Sequence, residues 1–249
     1  MNDKKIALVT GANQGIGFEI SKALLANNYI VFVGSRNIDN GIKAAEKLGE
    51  NAHAVQLDVT DETSINNAVT QIQNEFGKLD LLVNNAAISH AGKPGRKLED
   101  VIQSSRASVV DIDEVKTVWE TNVFGVIAVT QSMLPLLKNA TAARIVNVSS
   151  GVGSLALTAD PTHRYRQGFT LPYSASKAAL NAVTLGFAID LQQFNIKVIA
   201  VSPGFTATAL NNFQGTETVE AGSRAPIEVA LNENFASGTF VGPNGIIPW

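Results

Sequence analysis

The chain reads as an α/β protein built on a doubly wound parallel sheet with helices on both faces. Short runs rich in Val, Ile and Leu recur along it, apolar on both faces as strands covered on both sides must be. Longer amphipathic segments separate them, and strand–helix alternation of this kind builds a parallel sheet. The first run, KIALVTG (5–11), precedes a helix pattern over 15–27. YIVFVGS (29–35) leads into a helix over 39–48, and AHAVQLDV (52–59) into one over 61–76. Thr60 or Asp61 supplies the N-cap of that third helix, because either side chain accepts from a free first-turn N–H. LDLLVNNAA (79–87) is the fourth strand, and a long helix follows over 113–138. ARIVNVSS (143–150), a helix over 174–194 and IKVIAVSPG (196–204) complete the pattern.

Two polar segments interrupt this rhythm, 88–112 and 205–225. Each follows a predicted strand at its carboxyl end, where open α/β sheets bind ligands. Connections longer than about 12–15 residues are commonly functional, so both are expected to border a site. There is no internal repeat or low-complexity tract, and 249 residues are expected to form one domain over 1–249.

Composition narrows the chemistry. With 45% hydrophobic and 16% charged residues, the chain fits a folded soluble protein rather than a disordered one. A net charge of −3 argues against a general nucleic-acid binder, which needs clustered Lys and Arg. No cysteine is present, which excludes disulfides, thiolate nucleophiles and cysteine-based zinc sites. His53, His90 and His163 lack metal-ligand spacing, so no metal site is expected. No apolar run approaches the roughly 18 residues of a membrane span, and the N-terminus lacks a secretory pattern. The expected location is the cytoplasm, with no membrane partner.

The segment VTGANQGIGFEI (9–20) lies between the first strand and its helix. Gly11, Gly15 and Gly17 let backbone turn sharply and approach a pyrophosphate, and the helix start presents free N–H groups to it. An NAD site usually carries an acid roughly 20 residues further on, at the end of the second strand. Ser35, Arg36 and Asn37 stand there instead. The planar Arg36 fork suits a 2′-phosphate, which points to NADP.

PYSASKAAL (172–180) places Tyr173 and Lys177 four apart, on one helix face. A free phenol ionises near pH 10, too high for easy proton exchange at neutrality. An adjacent ammonium favours phenolate, so Lys177 is expected to lower the Tyr173 pKa and make it a usable general acid or base. Ser149 and Ser150 end the fifth strand, where a hydroxyl can bond the same substrate oxygen. No G-x-S-x-G elbow surrounds them, which argues against a serine hydrolase.

TGANQGIG, NNAA, ETNVFG, VNVSS, YSASK and VSPG occur in the order of the short-chain dehydrogenase/reductase family, and the resemblance covers nearly the whole chain. It implies a single Rossmann domain that moves hydride between NAD(P) and a carbonyl or alcohol. By the same resemblance Tyr173 is the acid/base, Lys177 its pKa-lowering partner and ribose ligand, and Ser150 the residue that orients the carbonyl. Asn122 supports a proton-relay water. Thr10, Gly11, Asn13, Gln14, Gly15, Ile16 and Gly17 form the pyrophosphate turn. Asp58 and Val59 match adenine contacts, and Asn84 and Ala86 the stretch lining the cofactor. Pro203, Gly204, Thr206 and Thr208 resemble the segment meeting the carboxamide and phosphates.

The chain departs from the family pattern in two places. Ala87 stands where glycine is usual. Ser150 and Tyr173 are further apart than is common, and the extra segment LTADPTHRYRQGF falls beside the active site, as in members similar to carbonyl reductases. Many of those are monomers, so the resemblance leaves monomer and homo-oligomer open. The expected activity is NADPH-dependent reduction of a small-molecule ketone or aldehyde. The alternatives are an NADPH-binding sensor without turnover and an NAD-linked alcohol dehydrogenase. Residues 88–112, 152–171 and 205–225 are expected to line the substrate pocket.

Overall fold

The architecture follows from which residues pair along the sheet. A computed structural model describes residues 4–91 and 96–249. Gly92, Lys93, Pro94 and Gly95, within the expected 88–112 loop, lie outside the described residues, as do Met1–Asp3. Eight strands form one sheet among the described residues: β1 (Lys5–Val9), β2 (Tyr29–Ser35), β3 (Ala52–Gln56), β4 (Leu81–Asn84), β5 (Arg144–Val148), β6 (Lys197–Val201), β7 (Phe240–Gly242) and β8 (Gly245–Ile246). Their spatial order is β3-β2-β1-β4-β5-β6-β7-β8. The pairings through β7 are parallel, and β8 alone runs antiparallel. The order reverses between β1 and β4, and the crevice at that switch point is where such sheets bind ligands.

Helices α1 (Gly15–Ala26), α2 (Ile38–Leu48) and α3 (Glu62–Glu75) follow the first three strands. Asp61 is the N-cap of α3, its Oδ1 accepting from the Thr63 and Ser64 amides at 2.8 and 3.4 Å. Alternate residues of each strand enter two separate cores. Leu8, Phe32, Leu82, Ile145 and Val198 bury on one face, while Val9, Val33, Val83, Val146 and Ile199 bury on the other. Each such side chain contributes about 1.5–3 kcal/mol on leaving water, which is why the runs are apolar throughout.

Several expectations are corrected. The 88–112 connection contains a helix, α4 (Leu98–Ser104). The single helix expected over 113–138 is α5 (Ile112–Trp119) and α6 (Gly125–Lys138), separated by a π-turn at Glu120–Phe124. The insert after β5 is structured as α7 (Leu155–Ala159) flanked by 3₁₀ turns. The helix expected from 174 starts earlier, as α8 (Leu171–Asp190), because Pro172 is well placed in a first turn. The weakly periodic 205–225 segment holds α9 (Val219–Gly222) and the start of α10 (Arg224–Leu231). Among the described residues no helix is long and apolar enough to cross a membrane.

A buried polar layer ties the central strands to these helices. Asn84 Nδ2 donates to Thr130 Oγ1 at 3.1 Å and Asn147 Oδ1 at 2.9 Å. Asn147 Nδ2 donates in turn to Thr184 Oγ1 at 2.9 Å. Asn84→Ala leaves two buried oxygens without their donor, at about 1–3 kcal/mol each. Urea unfolding is expected to show a lowered midpoint with an unchanged slope. An unmoved midpoint would mean that the layer does not hold β4 to β5.

Candidate active site

The glycine turn after β1 is shaped for an anion. Gly15 adopts φ +59°, a left-handed conformation that side chains disfavour. A β-carbon on Gly17 would overlap the Gly11 carbonyl and the Asn85 amide. The N-cap residue of α1, Gln14, makes no side-chain cap bond, and the first turn holds no acid. The helix therefore offers open N–H groups and a positive dipole end to a ligand. Thr208 Cγ2 lies 3.6 Å from where a Gly15 β-carbon would stand, so the segment after β6 borders the turn. Asn13 and Ile16 are partly buried and Gln14 is exposed.

The turn is held from β4. The Thr10 hydroxyl accepts from the Asn85 and Ala86 amides, both at 2.9 Å. Asn85 Nδ2 donates to the Thr10 and Gly11 carbonyls at 2.9 and 3.0 Å. Asn85 escaped the sequence analysis, although it is the second asparagine of NNAA. Asn84, expected to line the cofactor, points into the core layer instead, because strand alternation sends adjacent side chains to opposite sides. Ala86 packs against Gly11.

At the end of β2 three neighbours separate. The Ser35 hydroxyl donates to the Asn37 carbonyl at 2.8 Å, and Asn37 Oδ1 caps α2 by accepting from Asn40 N at 3.0 Å. Both side chains are occupied in starting the helix. Arg36 is exposed and has no ion-pair partner among the described residues. At the end of β3, Asp58 Oδ1 accepts from the amide and hydroxyl of Thr60 at 3.0 and 2.8 Å, and Val59 packs against Gly125. Pro203 and Gly204 are partly buried beyond β6. Thr206 turns inward, donating to the Gly204 carbonyl at 2.9 Å, so its hydroxyl is withdrawn from the cleft.

The reacting end sits at the carboxyl end of β5. Ser149 is buried and donates to Asn181 Oδ1 at 2.6 Å, a structural bond. Ser150 is the serine beside the Tyr173 phenol, near enough to favour its ionised form. Lys177 lies with its Nζ 5.7 Å from the Tyr173 ring centre and donates to the Val148 carbonyl at 2.8 Å. The expected lowering of the Tyr173 pKa is reversed. Burial pushes the phenol up to about 12, although the nearby Ser150 opposes it. Burial also pulls the Lys177 ammonium down to about 7. Desolvation outweighs the help that a full ammonium would give.

Asn122 lies in the π-turn. Its Oδ1 accepts from Ile88 N at 2.9 Å, while Nδ2 donates to the Ile88 carbonyl at 2.8 Å and Ser176 Oγ at 3.0 Å. Ser176 Oγ donates to the Tyr173 carbonyl at 2.7 Å. The carboxamide therefore fastens the β4 loop to α8 rather than reaching into the cleft.

A parallel sheet with a glycine turn at its switch point defines a Rossmann-type fold, and the Ser–Tyr–Lys arrangement over its carboxyl edge narrows the class further. The chain belongs to the short-chain dehydrogenase family, whose model matches residues 5–218. The family uses nicotinamide cofactors, and the open turn fits one. The chain is 33% identical over 246 residues to a short-chain dehydrogenase, anuI, of Penicillium roqueforti, covering 95% of this chain and 92% of that one. It is 31% identical to a (+)-neomenthol dehydrogenase of Arabidopsis thaliana, with 95% of each chain covered. The structure of an NADPH-bound carbonyl reductase from chicken fatty liver superposes with a TM-score of 0.82 at 27% identity, over 99% of each chain.

The depressed Lys177 pKa couples folding to pH. Between about 7 and the ordinary lysine value near 10.4, the unfolded chain binds a proton that the folded chain does not. Stability therefore rises with pH across that window, by at most about 1.4 kcal/mol per unit. Denaturant titrations at pH 7 and 9 are expected to show this gain in the wild type and its loss in Lys177→Met. Equal slopes in both proteins would place the lysine's folded pKa near its ordinary value.

Proposed function

We propose that the protein is an NADPH-dependent carbonyl reductase acting on a ketone or aldehyde, with Ser150, Tyr173 and Lys177 as its catalytic residues and Asn122 as a positioning residue. The observation that carries this reading is the gathering of Ser150, Tyr173 and Lys177 at the end of β5, with the Lys177 Nζ 5.7 Å from the Tyr173 ring centre and a phenol that burial pushes toward its protonated form. The bound cofactor supplies hydride. Ser150 and Tyr173 hold the carbonyl oxygen, and Tyr173 gives it a proton as negative charge develops there. A phenol in its protonated form carries the proton that the developing alkoxide needs. Lys177, titrating near neutrality, is matched to returning that proton. Asn122 positions the loop and helix between which the substrate sits. Residues 88–112, 152–171 and 205–225 would border the substrate.

Support for NADPH comes from Arg36, a free cation where NAD sites place an acid, and from the NADPH-bound neighbour. Gly11, Gly15, Gly17 and Thr208 would hold the pyrophosphate. Reductase names also recur among the relatives, salutaridine reductase of Papaver somniferum included.

Tyr173→Phe is expected to lower kcat by about 10²–10⁴-fold while leaving NADPH affinity within a factor of about two. Comparable activity in the variant would remove Tyr173 from the mechanism. Arg36→Ala is expected to raise the NADPH KM about tenfold or more and to leave the NADH KM nearly unchanged. Equal changes for both cofactors would make Arg36 a surface residue only.

A further inference from the structure

We propose that Tyr165, in the segment inserted between Ser150 and Tyr173, is a specificity-determining residue: its phenol donates a hydrogen bond to a second oxygen of the substrate, beside the reacting carbonyl. The inference rests on the reading that Ser150 and Tyr173 hold the reacting oxygen. Its first support is position. A β-carbon on Gly151 would overlap the ring and hydroxyl end of Tyr165. Gly151 directly follows Ser150, so the phenol stands at the same strand end as the catalytic serine. Only glycine at 151 admits the ring this close.

The second support is rigidity. Tyr165 is partly buried between neighbours of its own segment. The His163 ring centre lies 4.7 Å from its own, and the Arg164 guanidinium stands 5.1 Å away over the ring. The Tyr165 amide donates to His163 Nδ1 at 3.3 Å. Arg166 donates to the Ala159 carbonyl at 3.0 Å, closing the segment onto α7. The chain terminus clamps α7 in turn: Ala156 N donates to the Trp249 carbonyl at 3.0 Å and Ser154 Oγ to the Pro248 carbonyl at 2.6 Å. A donor held this way loses little freedom when a ligand arrives.

The third support is an uncommitted proton. Tyr165 Oη accepts from Arg164 at 3.4 Å and makes no other hydrogen bond among the described residues. A phenol carries one O–H donor, and here it has no acceptor among the described residues. The cation bonded to its oxygen polarises that O–H and strengthens it as a donor. A site with a fixed donor discriminates against ligands that leave it unpaired. The favoured substrates are therefore carbonyl compounds bearing an adjacent oxygen acceptor, such as vicinal diketones and α-hydroxy ketones.

The test separates binding from turnover. In a Tyr173→Phe background loaded with NADPH, the affinities of benzil and of its monoketone counterpart deoxybenzoin are read from cofactor fluorescence. Adding Tyr165→Phe, which keeps the ring and removes only the hydroxyl, is expected to weaken benzil about five- to tenfold and leave deoxybenzoin unchanged. Equal weakening of both, no change for benzil, or no benzil binding with Tyr165 intact would overturn the proposal. Turnover of the two compounds by protein with Tyr173 intact is scored separately. A selective loss of benzil affinity without any turnover would uphold the role of Tyr165 and refute the reductase reading.

Discussion

The cleft depends on buried amide and hydroxyl side chains that satisfy the backbone where the central strands end. A strand that stops at the rim leaves peptide groups without ladder partners, and each one buried unmatched costs about 1–3 kcal/mol. Thr10 meets two such amides beyond β4, and Asn85 meets two carbonyls beyond β1. Asn122 meets both polar groups of Ile88. Asn84 and Asn147 link β4 and β5 to the helices beneath. These bonds tie the glycine turn to the end of β4, and β4 to β5, the strand that leads to the serine.

Burial then sets the charge along that cleft. At the outer end the Arg36 side chain stays exposed. At the inner end both titratable groups favour their neutral forms, the phenol near 12 and the lysine near 7. The two ends of the cleft thus differ in solvation: an exposed cation stands at one, and groups whose burial favours their neutral forms stand at the other. The insert brings Tyr165 to the same rim, against Gly151.

The sheet was legible because its strands are buried on both faces, and runs such as KIALV and RIVNV have no other stable use. The glycine turn and the Tyr173–Lys177 spacing were legible because each is a local pattern with a local cause. Features made by tertiary contact were not. Asn84 and Asn85 are identical letters, and only strand alternation decides which one faces the turn. The break at Glu120–Phe124 falls inside a continuous apolar periodicity, since it is fastened from outside by Asn122 bonding Ile88. Helix α10 and strand β7 are short, eight and three residues, and draw their stability from packing onto the existing sheet. The sign of the Tyr173 shift was misjudged because spacing reveals neighbours and says nothing of burial depth.

The most direct test of the account is the rate of cofactor oxidation by the purified protein with NADPH and with NADH, against ketones and aldehydes that include vicinal diketones. The account predicts turnover with NADPH, at a kcat/KM well above that with NADH. Tight NADPH binding with no turnover of any carbonyl, or a preference for NADH, would contradict it.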